Sequence, residues 1–460
     1  MAITVKSFST TLWTHAKKHT GVGLVCAVAY FDPGNWGVDL QAGSSYGYRL
    51  LFVVLLAGLF AVFFQVSAHR LGCVTGLDLA SHCRVLLHPR PVTRYLLLYP
   101  LYILSETAIV ATDLAELLGS AIALCLLFPA LKIWHGVLIT AFDVLFILAL
   151  GDPLLIIAAL VIAVLICMCI IIARVDVHWP DAFLGYVPSK YIFKNGALYT
   201  SVMPHSLFLG SALATQDRVA AKTAEEEREK PEKLWQRIRA AFHMAPISPP
   251  QTLTNNSLSF IKLHLYHGIA DVVLSLLCFA VVINSLILIL AGATLPATAQ
   301  TASLFDAYDL IRTAVSPSAA TLFALALLFS GQSSSLIATV AGQAVSEGFL
   351  NIRLSPVFRR LITRLLSLVP ALTVAVAIGR NGIDTLLVAS QVVLSIVLPF
   401  IVFPLLWLTS NKRVMSAKND DGGSVNFSNS IPTTLLGAAI WLLVVAANIY
   451  VLVSLGMETS

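Results

Sequence analysis

Long apolar runs alternate with short polar segments along almost the whole chain. Eleven of these runs are long enough to cross the hydrocarbon core of a bilayer, which is about 30 Å thick. They cover approximately residues 20–45, 50–69, 95–122, 133–150, 153–174, 195–216, 266–293, 318–348, 361–379, 383–408 and 432–455. The pattern predicts an all-α membrane protein with about 11 transmembrane helices.

The first and sixth runs are each interrupted by a proline beside polar residues. Asp32-Pro33-Gly34-Asn35 stands in the first run, and Met203-Pro204-His205 stands in the sixth. Because proline lacks a backbone N–H, breaks at these points free carbonyls such as those of Ala29 and Thr200. Irregular backbone at membrane depth is tolerated only where it lines a cavity or holds a ligand. Two broken helices indicate a transporter built from inverted repeats, and we expect its substrate site between the breaks.

Composition and charge narrow the class further. Of the 460 residues, 58% are hydrophobic and 12% are charged, whereas soluble domains carry about 25% charged residues. With the N-terminus in the cytoplasm, 22 of the 29 Lys and Arg residues fall on the cytoplasmic side, as the positive-inside rule requires. This distribution explains the net charge of +5 without a nucleic-acid partner. No nucleophile–base pair or phosphate-binding loop is recognisable, so we expect a protein that is not an enzyme.

Two longer polar segments separate the apolar runs. Residues 217–258 contain a run of alternating charges and four prolines, and residues 410–431 contain Asp420-Asp421-Gly422-Gly423. Such composition is typical of solvated helix or disorder rather than of a folded domain.

Acidic residues inside the apolar runs are the next candidates for function. Glu106, Asp113 and Glu116 are separated by seven and three residues, so they share one face of the third helix. Three carboxylates in a row are typical of a path for protons or ions. Asp143 and Asp271 are single acids, for which we expect hydrogen bonds between helices.

Three arginines and one amide admit two interpretations. Arg359, Arg360 and Arg364 open the ninth run, most simply as positive-inside anchors, although one of them could pair with an acid of the third helix. Gln391 is a lone amide in the tenth run, and by itself it is better interpreted as structural.

The residues at the two breaks favour a divalent cation. Asp32 offers a carboxylate, Asn35 an amide oxygen and Met203 a thioether, besides the freed carbonyls. Oxygen donors alone would suit Mg²⁺ or Ca²⁺, whereas a thioether favours Mn²⁺, Fe²⁺ or Cd²⁺. Ordinary core packing is the alternative for Met203. His205 titrates near physiological pH and could exchange protons with the acids of the third helix.

The motifs at the breaks resemble the paired first- and sixth-helix signatures of the Nramp family of proton-coupled divalent metal transporters. The resemblance continues through residues 65–80 (QVSAHRLGCVTGLDLA), 106–124 (ETAIVATDLAELLGSAIAL), 331–350 (GQSSSLIATVAGQAVSEGFL) and 359–364 (RRLITR). One departure is Ser206, where many members have Asn.

The resemblance implies the leucine-transporter fold, with broken helices 1 and 6 and with helices 1–5 and 6–10 as inverted repeats. The implied divisions are a cytoplasmic tail (1–19), a first repeat (20–175), a second repeat (176–408, including a cytoplasmic loop at 217–258), and a final loop and helix 11 (409–460).

The resemblance also implies roles for individual residues. The implied metal ligands are Asp32, Asn35, Met203, Gln391 and the carbonyls of Ala29 and Thr200. The implied proton route comprises Asp113, Glu116, Glu106 and His205, with a ninth-helix arginine placed at Arg360.

The function implied is proton-coupled import of Mn²⁺ or Fe²⁺ by alternating access, with Cd²⁺, Co²⁺ and Zn²⁺ as further candidates. The metal and the protons are then substrates, no cofactor is expected, and the host is the plasma membrane or an endomembrane. The alternatives are an Nramp-related Mg²⁺ transporter, a non-transporting metal sensor of the same fold, and an amino-acid carrier, which Asp32 disfavours because it would repel a substrate carboxylate.

Overall fold

The computed structural model describes residues 21–150, 153–189, 203–217, 255–295, 303–352, 355–418 and 423–458. Its helices are α1 (Val22–Val28), α2 (Pro33–Tyr46), α3 (Leu51–Thr75), α4 (Leu79–Leu87), α5 (Pro91–Leu127), α6 (Ile133–Leu150), α7 (Pro153–Ile172), α8 (Trp179–Leu184), α9 (Pro204–Leu213), α10 (Leu258–Thr294), α11 (Leu304–Ala314), α12 (Pro317–Leu350), α13 (Pro356–Ala377), α14 (Arg380–Ser410) and α15 (Ile431–Glu458). Single π-helical turns interrupt α5 at Arg94–Leu98 and α10 at Leu276–Val281.

The helices follow the predicted apolar runs. The first run is the broken pair α1 and α2, and the sixth is described only from Met203 onward, where it continues as α9. Within the described ranges, seven helical stretches are long and apolar enough to cross a membrane, and α6 and α7 contribute two shorter apolar stretches. The long apolar helices therefore account for most of the predicted spans.

The start of α1 is held by a residue of another helix. Asp271 in α10 accepts hydrogen bonds at Oδ2 from the backbone N–H of Gly21 (3.1 Å) and of Gly23 (2.8 Å). The first N–H groups of a helix have no hydrogen-bond partner within it, and no neighbouring side chain caps α1. The carboxylate of Asp271 supplies the missing acceptor. The hydrogen bond between helices expected at Asp271 is confirmed, whereas the side chain of Asp143 lies outside the described residues.

Close packing of α2 on α10 depends on a small residue. A Cβ at Gly43 would lie 2.5 Å from the carbonyl oxygen of Leu288 and 2.5 Å from the Cβ of Ala291. Any side chain there would force the two helices apart. This contact fixes α2 against α10.

One segment differs from its predicted character. Within the loop 410–431, Ser416–Lys418 and Ser424–Asn426 form two antiparallel strands, β1 and β2. The hairpin is tied to the bundle, because Asn255 Nδ2 donates to the carbonyls of Val414 and Ser416, both at 2.8 Å. The expectation of solvated helix or disorder is therefore wrong for these residues: tertiary hydrogen bonds order a segment whose composition alone would not.

The short helices α4, α8 and α11 were also not predicted. Each is shorter than a membrane span, so a count of long apolar runs does not detect it. The helix α11 begins with a capping box between Ser303 and Asp306, a signal that a search for helix caps would have detected.

Candidate metal site and its acidic network

The first break lies between α1 and α2. Asp32 is the N-cap of α2, where its Oδ1 accepts from the backbone N–H of Asn35 at 3.3 Å. Pro33 occupies the position whose N–H would otherwise bond to the carbonyl of Ala29, so that carbonyl loses its helical donor. Asp32 is fully buried and Ala29 is buried beside it. The break thus places one carboxylate and one freed carbonyl inside the bundle.

The carbonyl of Tyr30 orients two amide side chains at the break. It accepts from Nδ2 of Asn35 at 2.8 Å and from Nδ2 of Asn284, in α10, at 2.6 Å. A carbonyl can only accept, so both amides must direct their nitrogens to it and keep their oxygens for other partners. Within the described part of the chain, Oδ1 of Asn35 has no hydrogen-bond partner. A buried amide oxygen that accepts no hydrogen bond is available to coordinate a cation.

Gln391 reaches the same point from α14. Its Nε2 lies 3.4 Å from Oδ2 of Asp32. The approach requires glycine at position 34, since a Cβ there would lie 1.8 Å from Gln391 Nε2. This lone amide therefore contacts the carboxylate at the first break.

The start of α9 brings Met203 to this region. Met203 is the N-cap of α9, is 1% exposed, and is followed by Pro204 at the first helical position. Ser206 links the start of α9 to the first break: its hydroxyl lies 2.7 Å from the carbonyl oxygen of Met203 and 2.9 Å from the hydroxyl oxygen of Tyr30. Thr200 lies outside the described residues.

Asp113 is the centre of a charged network in the adjoining helices. Its carboxylate pairs with Arg360, lies 3.3 Å from Nη1 of Arg364, and accepts from the hydroxyl of Ser367. Ser335 of α12 contacts both arginines, with Arg364 Nη2 at 2.8 Å. The network joins α5, α12 and α13 through buried, charge-assisted hydrogen bonds.

The three arginines of α13 are therefore not simple anchors. Arg359 pairs with Glu106, while Arg360 and Arg364 pair with Asp113. All three are buried, whereas an interfacial anchor would extend to the lipid headgroups. The resemblance implies one arginine, Arg360, beside the acids of α5; the structure pairs Arg360 and Arg364 with Asp113, and Arg359 with Glu106.

Glu116 and His205 complete the group of titratable side chains. Glu116 is buried, and neither of its carboxylate oxygens has a hydrogen-bond partner among the described residues. His205 Nδ1 lies 3.2 Å from the hydroxyl of Thr112, which connects α9 to α5. A Cβ at Gly119, one turn after Glu116, would lie 2.0 Å from Cβ of Pro33. The part of α5 that carries Glu116 thus packs on the first break through Gly119.

The donors at the breaks determine what this site can bind. No group of three or more His, Cys, Asp or Glu side chains suited to a metal ion is found in the described ranges. A metal bound here would instead use one carboxylate, amide and carbonyl oxygens, and the thioether of Met203. A site with one negative charge and few strong ligands binds an ion weakly enough to release it again.

Sequence reasoning did not identify Asn284 or Ser367. Both are isolated polar residues within apolar helices. Their partners, Tyr30 and Asp113, are more than 250 positions away along the chain. Local patterns carry no signal for such pairs, although polar residues inside a span are themselves a reason to look.

Comparison with known proteins gives consistent results. The family model described as natural resistance-associated macrophage protein-like (Nramp) matches residues 23–454. The manganese transporter pdt1 of Schizosaccharomyces pombe is 40% identical, over 96% of this chain and 86% of its own. The iron transporter SMF3 of Saccharomyces cerevisiae is 36% identical, over 95% of this chain and 96% of its own.

Solved structures agree with the sequence relatives. The crystal structure of a mutant of the Eremococcus coleocola manganese transporter superposes with a TM-score of 0.77 at 29% identity, covering 95% of this chain and 86% of that one. The predicted fold class, a helical membrane transporter with broken first and sixth helices, is confirmed by this match.

Proposed function

Since the chain belongs to the Nramp family of transporters, we propose that it imports divalent transition metal ions, Mn²⁺ and Fe²⁺ foremost, together with protons and by alternating access. The observation that carries this proposal is the buried break between α1 and α2, joined through Tyr30 and Ser206 to the start of α9 at Met203. As in the family, the metal is a substrate and the protein is a transporter rather than an enzyme.

The metal ligands we propose are Asp32, Asn35, Met203, Gln391 and the carbonyls of Ala29 and Thr200. The carboxylate of Asp32 supplies the charge, and the free oxygen of Asn35 supplies a second donor. Gln391 would exchange its contact with Asp32 for one with the metal, because its flexible side chain already lies within hydrogen-bond distance.

Met203 is the main argument for transition metals over Mg²⁺. A strongly hydrated hard ion gains little from a thioether, whereas Mn²⁺, Fe²⁺ and Cd²⁺ gain more. The named relatives are consistent with this choice, since they are described as manganese and iron transporters. The sensor alternative has no comparable support, because the relatives are named as transporters.

The proton route we propose runs through Glu116, Asp113, Glu106 and His205, with Arg360 as the paired cation. Glu116 packs beside the break at Pro33 and has no hydrogen-bond partner in the described part of the chain, so it is positioned to respond to a metal at Asp32. Asp113 is held by Arg360 and Arg364. A proton arriving at Asp113 would release these arginines, which tie α13 to α5.

The N-terminus is proposed to be cytoplasmic, with the protein spanning its membrane many times. The division of 22 against 7 basic residues supports this orientation. It places α1 and α9 in the inner half of the membrane and α2 in the outer half.

The test of this function is metal competition in proteoliposomes, comparing the wild type with Met203→Ala. We expect the substitution to weaken Cd²⁺ and Mn²⁺ transport and to make Ca²⁺ or Mg²⁺ a better competitor, because it removes the donor that discriminates between them. Leu207→Ala is a matched control, because it truncates a fully buried side chain of α9, the helix that Met203 caps. Unchanged Cd²⁺ affinity together with unchanged exclusion of Ca²⁺ would show that Met203 is packing only.

A further inference from the structure

A second group of oxygen atoms lies beside the candidate metal site and shares Asn35 with it. Asp39 and Asn35 of α2, Asn284 of α10 and Tyr30 line one cavity of about 20 Å³. This volume is sufficient for one water molecule or for a cation of similar size. The rest of the wall is apolar and comes mainly from α3 and the π turn of α10.

The polar residues of α2 form a row. Asn35 and Asp39 are four residues apart, so they lie one above the other on the same helix face. With a rise of 1.5 Å per residue, Asp39 lies about 6 Å beyond Asn35 and about 10 Å beyond Asp32 along the helix. With the N-terminus in the cytoplasm, this direction leads from the break toward the outside.

The oxygens in this cavity need a partner. Oδ2 of Asp39, Oδ1 of Asn35 and Oδ1 of Asn284 all have no hydrogen-bond partner among the residues that the structure describes. The two amides cannot reverse, since both donate from Nδ2 to the carbonyl of Tyr30. Asp39 is 5% exposed, and a buried carboxylate oxygen without a partner is costly. The arrangement presents acceptors only, so its complement is a cation.

The apolar walls of the cavity strengthen its preference for a cation. A Cβ at Gly58 of α3 would lie 2.2 Å from Cγ2 of Val281, so the glycine lets α3 close against α10 on the apolar side. Apolar walls lower the local dielectric constant and increase the attraction between Asp39 and a positive ion.

We propose that Asp39, Asn35 and Asn284 form a second divalent-cation site, which an incoming ion occupies before it moves inward to Asp32 and Met203. Asn35 belongs to both sites and passes the ion between them. The direction of movement rests on the proposed transport function, whereas the site itself does not. All its donors are oxygens, so it binds Mn²⁺ and Ca²⁺ comparably and does not favour Cd²⁺ as the thioether site does.

The test is equilibrium binding of Mn²⁺ to the purified full chain, followed by the loss of the electron paramagnetic resonance signal of free Mn²⁺. Asp32→Asn removes the charge of the inner site. We expect this variant to retain weak Mn²⁺ binding, which Ca²⁺ and Cd²⁺ displace at similar concentrations. Adding Asp39→Asn should weaken the residual binding at least about tenfold, because the only carboxylate of the second site is lost.

Two further variants separate the site from general damage. Asn284→Leu keeps the side-chain shape but removes the amide oxygen, so in the Asp32→Asn background it should also weaken the residual binding. Asp309→Asn changes an exposed acid of α11 and should leave that binding unchanged. In the otherwise wild-type chain, Asp39→Asn should raise the Mn²⁺ concentration for half-maximal uptake about three- to tenfold.

The proposal is overturned if Asp32→Asn binds no Mn²⁺, or if its residual binding is unaffected by Asp39→Asn, as expected for a cavity that holds only water. The binding assay needs no transport. If Mn²⁺ binding depends on Asp39 but the wild-type protein transports no metal, the proposed function is contradicted, while the proposal of a second site is still supported.

Discussion

The contact between Gly34 and Gln391 allows a test of whether Gln391 contributes to metal binding, because a methyl group added at Gly34 would displace it. Gly34 lies in the first turn of α2, and a Cβ added there would lie 1.8 Å from Gln391 Nε2 and 3.0 Å from Asp32 Oδ2. Gln391 ends in a flexible chain, so it would turn away from Asp32 while the backbone stays in place. Gly34→Ala should therefore act on the site by displacing Gln391.

The size of the effect follows from the metal contact that is lost, because Gln391 exchanges its bond to Asp32 for a bond to the metal. A neutral amide oxygen contributes about as much as one ordinary hydrogen bond, about 1 kcal/mol. This value is equivalent to roughly fivefold in affinity. Alanine also favours the helix over glycine by about 0.5–1 kcal/mol, so folding should not suffer.

A double-mutant cycle gives the sharpest assay. Gly34→Ala and Gln391→Ala should each weaken Mn²⁺ binding about fivefold, and the double variant should also lose only about fivefold, because both changes remove the same contact. Gly37→Ala is the matched control, since its Cβ would meet only Leu387 of the same neighbouring helix, at 3.1 Å. Mn²⁺ binding and thermal stability would be measured on all four variants.

Two results would refute this reasoning. A loss of roughly 25-fold in the double variant would mean that the two residues act independently. No loss in Gly34→Ala, with its stability intact, would mean that Gln391 does not contribute to metal binding from this position.

Two further predictions concern protons and orientation. Asp113→Asn keeps the shape of the side chain that contacts Arg360 and Arg364, but the new side chain cannot bind or release a proton. Metal-stimulated acidification of proteoliposomes should therefore be lost or strongly reduced, while some metal flux remains. Unchanged proton flux would mean that the network is only structural. Cysteines placed at positions 230 and 420, in a background lacking the exposed Cys169 and Cys278, should react with impermeant reagents only from the cytoplasmic side, and labelling from outside would exclude the eleven-span, N-in arrangement.

The sequence alone determined the class and the position of the breaks. Apolar runs indicate which segments lie in lipid, because a helix that crosses the bilayer must be apolar over a fixed length. Proline acts on the backbone of its own chain, so the interruptions at Pro33 and Pro204 could be located without any tertiary contact. The acid face of α5 is likewise a local property, set by helical spacing.

Only the tertiary structure decided which of these groups meet. The pairing of Glu106 with Arg359, and of Asp113 with both Arg360 and Arg364, joins residues about 250 positions apart, and three neighbouring arginines offer several pairings that sequence cannot rank. The hairpin within 410–431 is ordered by side chains from distant segments, which its own polar composition does not encode. The acceptor-lined cavity at Asp39 exists because the carbonyl of Tyr30 orients Asn35 and Asn284 from different helices. Such arrangements depend on how helices pack across the whole chain, and packing is a property of the fold rather than of any local stretch.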